Sequence, residues 1–134
     1  MSKPIRIDVK TDRRNQLVDI TSRIQKLVAE SDIDEGYAIL FVPHTTAAVT
    51  INENADPSVK SDILGYLEKL IPQNAGFAHA EGNSDAHIKA SLTGFSETIL
   101  ISEGRLLLGT WQGIYFCEYD GPRSRELILK FISD

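Results

Sequence analysis

Runs of alternating and continuous apolar residues predict strands along much of the chain. Ile5, Ile7 and Val9 alternate with polar or charged residues, which is the two-residue period of a half-buried strand. The continuous run 37–42 is rich in residues that favour strands. On these grounds we expect strands over 5–11, 17–20, 37–42, 47–51, 97–101, 105–109, 114–120 and 126–132.

Apolar residues that recur at helical spacing predict three helices between these strands. The second is signalled most clearly, because the carboxylate of Asp56 can cap a helix whose first position is Pro57. Thr21 is expected to cap the first helix, and Gly94 to close the third. The predicted helices run from Thr21 to near Ser31, from Pro57 towards Pro72, and over 86–92 after a cap at Ser84 or Asp85.

The order of these elements predicts an α+β fold. No repeat, low-complexity tract or flexible linker interrupts the sequence, so residues 1–134 are expected to form a single domain. Glycine-containing turns separate the last four strands, which favours successive hairpins in an antiparallel meander. Because strands lie before, between and after the helices without a regular βαβ alternation, we expect mostly antiparallel sheets partly covered by helices.

Composition and charge exclude several classes of protein. A chain of 134 residues with 42% hydrophobic residues needs no disulfide to hold a core, and Cys117 is its single cysteine. The formal net charge of −5 argues against a general nucleic-acid binder. The apolar runs are much shorter than the ~18 residues of a membrane span, and residues 1–10 lack the apolar core of a signal peptide. We therefore expect a cytoplasmic protein that binds neither nucleic acid nor membranes.

The three histidines are the strongest candidates for chemistry. His44 lies in a Pro-His-Thr-Thr strand break with Thr45 and Thr46, whereas His79 and His87 belong to a polar segment over 78–89. Three imidazoles that converge on one point can hold a metal ion with an open coordination position. Their spacing matches no standard zinc motif, and the alternative is an exposed loop followed by a capped helix.

Carboxylates, arginines and a tryptophan supply further candidates. Glu53 follows a strand and can hold Mg²⁺ together with a phosphate, whereas the capping role of Asp56 already explains that residue. Trp111 lies in a turn, where an exposed indole can stack on a flat ring. Arg123 and Arg125 follow a turn and can bind phosphate oxygens through their guanidinium groups. Each of these groups also has an ordinary structural explanation when it is taken alone.

Three segments with specific motifs point to a known family: 42–57 (VPHTTAAVTINENADP), 82–91 (GNSDAHIKAS) and 104–125 (GRLLLGTWQGIYFCEYDGPRSR). In these segments the chain resembles the secondary thiamine-phosphate synthase family, also called the YjbQ-like family. The resemblance implies a compact α+β domain with β-sandwich-like sheets, assembled as a homotrimer. It also implies thiamine-phosphate synthase activity, in which a pyrimidine-methyl diphosphate is joined to a thiazole phosphate and pyrophosphate is released.

The same resemblance marks signature positions, to which charge and chemistry suggest roles. The histidines would bind a divalent metal, zinc or magnesium, or the developing phosphate charge, and the carboxylates would hold Mg²⁺ or orient the imidazoles. The expected catalytic residues are His44, His79, His87, Glu53 and Asp85. The expected contacts to a small phosphorylated substrate are Thr45, Thr46, Asn83, Lys89, Trp111, Gln112, Arg123 and Arg125, and Asn52 is a further signature position.

Two other functions fit the same residues. The first is a metal-dependent hydrolase or lyase that acts on a small phosphorylated substrate through three histidines and an activated water. The second is a non-catalytic trimer that binds a phosphorylated metabolite as a sensor or carrier. Bound metal would favour the first alternative, and tight binding without turnover would favour the second.

Overall fold

The computed structural model describes residues 3–134, which form eight strands and three helices in two antiparallel sheets. The helices are α1 (Thr21–Glu30), α2 (Pro57–Leu70) and α3 (Ser84–Thr93). The strands are β1 (Ile5–Lys10), β2 (Gln16–Asp19), β3 (Gly36–Phe41), β4 (Ala47–Glu53), β5 (Ser96–Ser102), β6 (Arg105–Leu106), β7 (Gln112–Glu118) and β8 (Ser124–Ser133). The single α+β domain expected from the sequence is confirmed.

The pairing of the last four strands differs from the predicted meander. The larger sheet has the order β1-β8-β3-β5-β6, and the smaller has the order β2-β7-β4. Of these four strands, only β5 and β6 pair as sequence neighbours, over Ile101–Leu106 and Ser102–Arg105. The meander was wrong because glycine turns show only where the chain reverses, whereas β7 and β8 find their partners in distant parts of the sequence.

The two sheets pack face to face around one core. Leu40 and Leu129 of the larger sheet and Val49 and Phe116 of the smaller sheet belong to this core, and α1 adds Ile24. The opposite face of the smaller sheet is covered by α2 and α3, which form a second apolar cluster with it. The central strand β7 is therefore buried on both faces, which explains its continuous apolar sequence.

The helix ends show which capping signals were read correctly. Asp56 caps α2 as predicted, because its Oδ1 accepts a hydrogen bond from the backbone N–H of Ser58 at 2.9 Å. The predicted cap of α1 is wrong, since the N-cap is Ile20 and Thr21 is already helical. Asp19 supplies the acceptor instead, at 3.0 Å from the Thr21 N–H. None of the helices in residues 3–134 is long and apolar enough to cross a membrane.

Cys117 lies in the second apolar cluster and is fully buried. Burial raises the pKa of its thiol to about 12. At about pH 8 only about one thiol in 10⁴ is then ionised, and the thiolate is the reactive form. We expect Cys117 of the native protein to resist a coloured disulfide reagent. The chain unfolded in guanidinium should react with it and release one equivalent of the reagent's thiolate. Rapid reaction of the native protein would contradict this burial.

Candidate functional site

A cleft of about 900 Å³ opens where the chain crosses between the two sheets. Its walls come from the end of β3 and the β3–β4 connection, from the loop before α3 and the first turns of that helix, and from the β7–β8 turn. The residues that border it are Phe41, Val42, Pro43, His44, Thr45, Thr46, His79, Glu81, Asn83, His87, Phe95, Asp120, Arg123 and Arg125. Eight of the residues expected from the sequence, including all three histidines, therefore lie around one cleft.

His44 is held in one protonation form by the backbone of β8. Its Nε2 accepts a hydrogen bond from the N–H of Glu126 at 3.0 Å, which leaves the ring proton on Nδ1. Burial, followed by the nearby charge of Arg125, lowers the pKa of His44 below its ordinary value. The imidazole is therefore mainly neutral at pH 7, and it can act as a hydrogen-bond donor through Nδ1.

His79 and His87 form a contacting pair on another wall of the cleft. Their ring centroids are 5.5 Å apart, and the planes meet at 84° in an edge-to-face arrangement. His79 is exposed in the loop, whereas His87 is half-buried on α3. Two imidazoles in contact can present neighbouring ring N–H donors to a bound anion.

The residues present do not form the expected three-histidine metal centre. Within residues 3–134, no group of three or more His, Cys, Asp or Glu side chains is arranged to hold a metal ion. His44 shows one reason, because Nε2 already accepts a hydrogen bond and Nδ1 carries the ring proton. Neither nitrogen of this ring has a free lone pair for a metal in this arrangement.

Arg125 forms part of the cleft wall through a buried ion pair. Its guanidinium donates to both carboxylate oxygens of Glu118, and Nη2 also donates to Oγ1 of Thr46 at 2.8 Å. Burial alone would raise the pKa of Glu118, but the hydrogen bonds from Arg125, the Asp120 amide and Thr11 lower it below its ordinary value. Because Glu118 balances its charge, Arg125 fixes the shape of the cleft more than it adds positive potential.

Arg123 is the more available of the two arginines. Its side chain is 52% exposed, and it donates from Nη2 to Oδ2 of Asp120 at 3.1 Å. The same Asp120 oxygen accepts a hydrogen bond from Nδ2 of Asn83 at 2.8 Å. Asp120 thus orients one cationic and one amide side chain that border the cleft.

An aromatic pair forms the apolar wall. The ring centroids of Phe41 and Phe95 lie 5.8 Å apart with the planes at 76°, and both residues are exposed, Phe95 more than Phe41. Val42 and Pro43 extend the same part of the lining. The cleft therefore combines an apolar surface suited to a flat ring with imidazole and guanidinium groups suited to an anion.

Asp85 and Lys89 lie at a second, smaller cleft of about 470 Å³. Both are almost completely buried, with Asp85 Oδ2 at 3.2 Å from Lys89 Nζ and 2.9 Å from Arg14 Nη1. Burial would raise the pKa of Asp85, but the hydrogen bonds from Arg14 and Lys89 lower it below its ordinary value. The expected roles of Asp85 beside the histidines and of Lys89 on phosphate do not match these positions.

Glu53, Trp111 and Gln112 also lie away from the cleft in this chain. Glu53 pairs with Gln112 at the far end of β4, and Trp111 is exposed in the turn beside them. The cleft meets β4 at its other end, and seven extended residues span about 20 Å. These side chains, together with Asn52, cannot meet the histidines within one subunit.

Sequence reasoning missed several residues of the cleft. Asp120 and Glu81 border the cleft, but in their segments only the neighbouring arginines and histidines were expected to be functional. Phe41 ends the strand before the break at Pro43, and Phe95 follows the end of α3. An aromatic residue at a strand end could have indicated that it borders a site. Arg14, which binds Asp85, carried no local signal, because the two residues meet only in the folded chain.

Two antiparallel sheets, outer helices and a cleft bordered by histidines and arginines define a small α+β sandwich protein with a ligand-sized site. The model of the UPF0047 protein YjbQ-like family matches residues 5–134. The chain belongs to this family.

Relatives and solved structures agree with this assignment. The UPF0047 protein MJ1081 of Methanocaldococcus jannaschii is 60% identical over 126 residues, which cover 94% of this chain and 91% of the relative. The UPF0047 protein YugU of Bacillus subtilis is 46% identical over 127 residues, covering 94% and 96%. The crystal structure of an uncharacterized conserved protein of the YjbQ/UPF0047 family from Clostridium acetobutylicum has a TM-score of 0.93 at 54% identity, covering 96% and 99%. Hypothetical protein APE1520 from Aeropyrum pernix has a TM-score of 0.94 at 36% identity, covering 99% and 100%. These names state a family or no function, and none names a reaction.

Proposed function

We propose that this protein is an enzyme that joins a pyrimidine-methyl diphosphate to a thiazole phosphate and releases pyrophosphate. The observation that carries the proposal is the division of one cleft into an aromatic wall and a wall of histidines and Arg123. This combination supports a substrate with a flat ring at one end and phosphate at the other. The resemblance to the secondary thiamine-phosphate synthase family supplies the particular reaction.

The size of the cleft is consistent with two small ring compounds. Binding sites for small molecules usually have volumes of roughly 300–1,000 Å³, and this cleft has about 900 Å³. In the proposed reaction, the bond between the methylene carbon and the diphosphate oxygen breaks, and pyrophosphate leaves with the electron pair. The thiazole nitrogen then forms a bond to that carbon, so atoms and charge balance without an oxidant or reductant.

The residues of the cleft suit the charges that develop in this step. Arg123 and the Nδ1–H of His44 donate hydrogen bonds to oxygens of the departing pyrophosphate, whose negative charge grows as the bond breaks. Phe41 and Phe95 exclude water from the electron-poor methylene carbon, and their rings can pack face-on or edge-on against the heteroaromatic rings. His79 and His87 provide a second set of donors for the phosphate.

The homotrimer implied by the family resemblance belongs to the same proposal. Leu100 and Phe41 lie on the outward face of the larger sheet, and the exposed Phe95 packs against Phe41. Exposed apolar side chains of this number favour a protein–protein contact. Analytical ultracentrifugation should give three times the 14.9 kDa mass of the chain.

The direct test is an assay of the purified protein with both substrates. We expect thiamine phosphate, detected by mass spectrometry, and pyrophosphate in equal amounts. Arg123→Ala should raise the KM for the diphosphate by about 10- to 100-fold, because one charge-assisted hydrogen bond is lost. Arg105→Ala removes an exposed arginine outside the cleft and should leave KM unchanged.

The remaining functions give different results in the same preparation. Hydrolysis of a phosphorylated compound together with about one equivalent of zinc per subunit would favour the metal-dependent hydrolase. Tight binding without turnover under any metal would favour the carrier. A divalent metal, zinc or magnesium, stays a prediction that elemental analysis of the purified protein decides.

A further inference from the structure

Glu118 is a buried carboxylate that does not border the cleft but holds residues that do. It is the last residue of β7 and is fully buried. Its Oε1 accepts hydrogen bonds from Thr11 Oγ1 at 2.7 Å and from Arg125 Nε at 2.8 Å. Its Oε2 accepts hydrogen bonds from the backbone N–H of Asp120 at 2.9 Å and from Arg125 Nη2. Hydrogen bonds to a buried carboxylate are strong, so these donors are held in one arrangement.

Arg123 is held at both ends by groups that are themselves bound to Glu118. Its backbone N–H donates to Thr11 Oγ1 at 2.9 Å, and that hydroxyl donates in turn to Glu118. Its guanidinium donates from Nε to the carbonyl oxygen of Asp120 at 2.8 Å and from Nη2 to Oδ2 of the same residue. The N–H of Asp120 is fixed by Glu118. The buried carboxylate therefore supports both the backbone and the guanidinium of Arg123.

The turn between β7 and β8 is packed directly against Glu118. A Cβ added at Gly121 would lie 2.8 Å from Glu118 Cγ and 3.0 Å from Thr11 Oγ1, and it would clash with the carbonyl oxygen of Arg13. The N–H of Gly121 donates to the carbonyl oxygen of Arg14 at 3.0 Å. Because only glycine fits here without a shift of the backbone, the turn that leads to Arg123 lies in close contact with the carboxylate side chain.

We propose that Glu118 is a positioning residue for anion binding, which acts by holding Arg123 in the wall of the cleft. Because Nε and Nη2 are engaged by Asp120, the guanidinium can present Nη1, which has no hydrogen-bond partner among residues 3–134. This inference rests on the proposed function, in which Arg123 binds the diphosphate. It adds a residue outside the cleft on which that contact depends.

The direction of the effect separates this role from simple electrostatics. A carboxylate near a bound anion repels it, so removal of the negative charge alone would tighten binding. Glu118→Gln keeps the size of the side chain, but one oxygen becomes an amino group that cannot accept a hydrogen bond from Asp120 or Arg125. The positioning role predicts the opposite result, which is about tenfold weaker binding of inorganic pyrophosphate in isothermal titration.

A second variant leaves the buried ion pair intact. Glu118→Gln leaves the charge of Arg125 uncompensated and is expected to lower stability. Thr11→Val breaks only the link between Glu118 and the backbone of Arg123, so it should weaken pyrophosphate binding by about threefold. Thr50→Val alters a half-buried threonine of β4 that does not border the cleft and should leave the affinity unchanged. Thermal melting checks that each variant is folded.

A double-mutant cycle measures whether Glu118 acts through Arg123. Pyrophosphate is titrated into the full-length protein, Glu118→Gln, Arg123→Ala and the double variant. The affinity lost in Glu118→Gln should fall to less than about twofold when Arg123 is already alanine, because two groups that act through one contact are not additive. The same cycle with Thr11→Val gives the answer where Glu118→Gln does not fold.

The position of Arg123 can also be observed without a ligand. A side-chain N–H that donates to a fixed carbonyl oxygen is protected from exchange with water. In nitrogen-edited NMR, the Arg123 Nε–H signal should therefore be visible at about pH 7 in the unmodified protein and lost in Glu118→Gln. Persistence of this signal in Glu118→Gln would contradict the inference.

The titrations distinguish this inference from the proposed function. Unchanged or tighter binding of pyrophosphate by Glu118→Gln would overturn the role of Glu118 and leave the proposed reaction standing. Failure of the unmodified protein to bind pyrophosphate would overturn both. An equal loss of affinity with and without the Arg123 side chain would assign the effect to general damage of the protein, and it would also contradict the inference.

Discussion

Replacement of His87 by alanine is expected to lower the rate of thiamine phosphate formation by about 10²- to 10⁴-fold, with the protein still folded. The imidazole borders the cleft from α3 and contacts the ring of His79, so its loss removes a donor from the wall that we propose to bind the phosphate. The half-buried ring is not part of either apolar cluster, and alanine is the strongest helix former. Steady-state kinetics and thermal melting of the variant measure the two effects separately.

Two further variants sharpen this result. Ser91→Ala alters an exposed position one turn further along α3 and should retain full activity. His87→Gln retains hydrogen-bonding groups but cannot titrate, so substantial activity in this variant would indicate a donor rather than a proton carrier. Full activity in His87→Ala would refute a catalytic role, and an unfolded His87→Ala protein would favour a structural one.

Removal of the Asp85 carboxylate is expected to lower the free energy of unfolding by about 3–5 kcal/mol. In Asp85→Ala the buried ammonium of Lys89 and the guanidinium of Arg14 lose their shared partner. The charge of Lys89 is the costlier of the two, because its side chain is only 2% exposed. Urea unfolding measures the change, with Asp62→Ala on the exposed face of α2 as the control.

The pH dependence of stability gives a second measure of the same carboxylate. The pKa of Asp85 is lower in the folded than in the unfolded chain, so the unfolded chain binds more protons in acid. Its contribution is present above the ordinary pKa of 3.8 and is lost as the pH falls through the folded value. Asp85→Asn should therefore show a shallower fall in melting temperature below about pH 4 than the unmodified protein. If an Asp85 variant kept its stability but lost its activity, Asp85 would be a catalytic residue, as expected from the sequence.

Much of the local structure could be predicted from the sequence. The separation of the cleft residues from the buried ion pair on α3 could have been predicted as well. The strands and helices were located by their apolar periods, and Asp56-Pro57 fixed the start of α2. His87 lies four positions after Asn83, the cap residue of α3, and Lys89 lies four positions after Asp85. Positions four apart share a face of a helix, whereas positions two apart lie about 200° apart around it. The helical period alone separates the cleft residues from the buried ion pair.

Other features depend on contacts between distant segments. The hairpin signals near 104 and 121 gave the turns correctly, but the pairing of β8 with β1 and β3 joins strands more than eighty residues apart. The distance of Glu53 and Trp111 from the histidines follows from the direction of β4 in the sheet, which no local motif encodes. The partner of Asp85 is Arg14, seventy-one positions away.

The loop between α2 and α3 has a consequence for how the site can change. Residues 72–82 are exposed throughout, yet His79 and Glu81 of this segment form one wall of the cleft. The other walls are anchored in the sheets and in α3, where a substitution disturbs one of the two apolar clusters. Exchange of the loop alone can therefore redirect the ligand preference of the protein at little cost in stability. The two sheets would keep the rest of the cleft unchanged while this wall is replaced. Libraries of loop sequences over 73–82 are therefore the direct way to change which ligand the cleft binds.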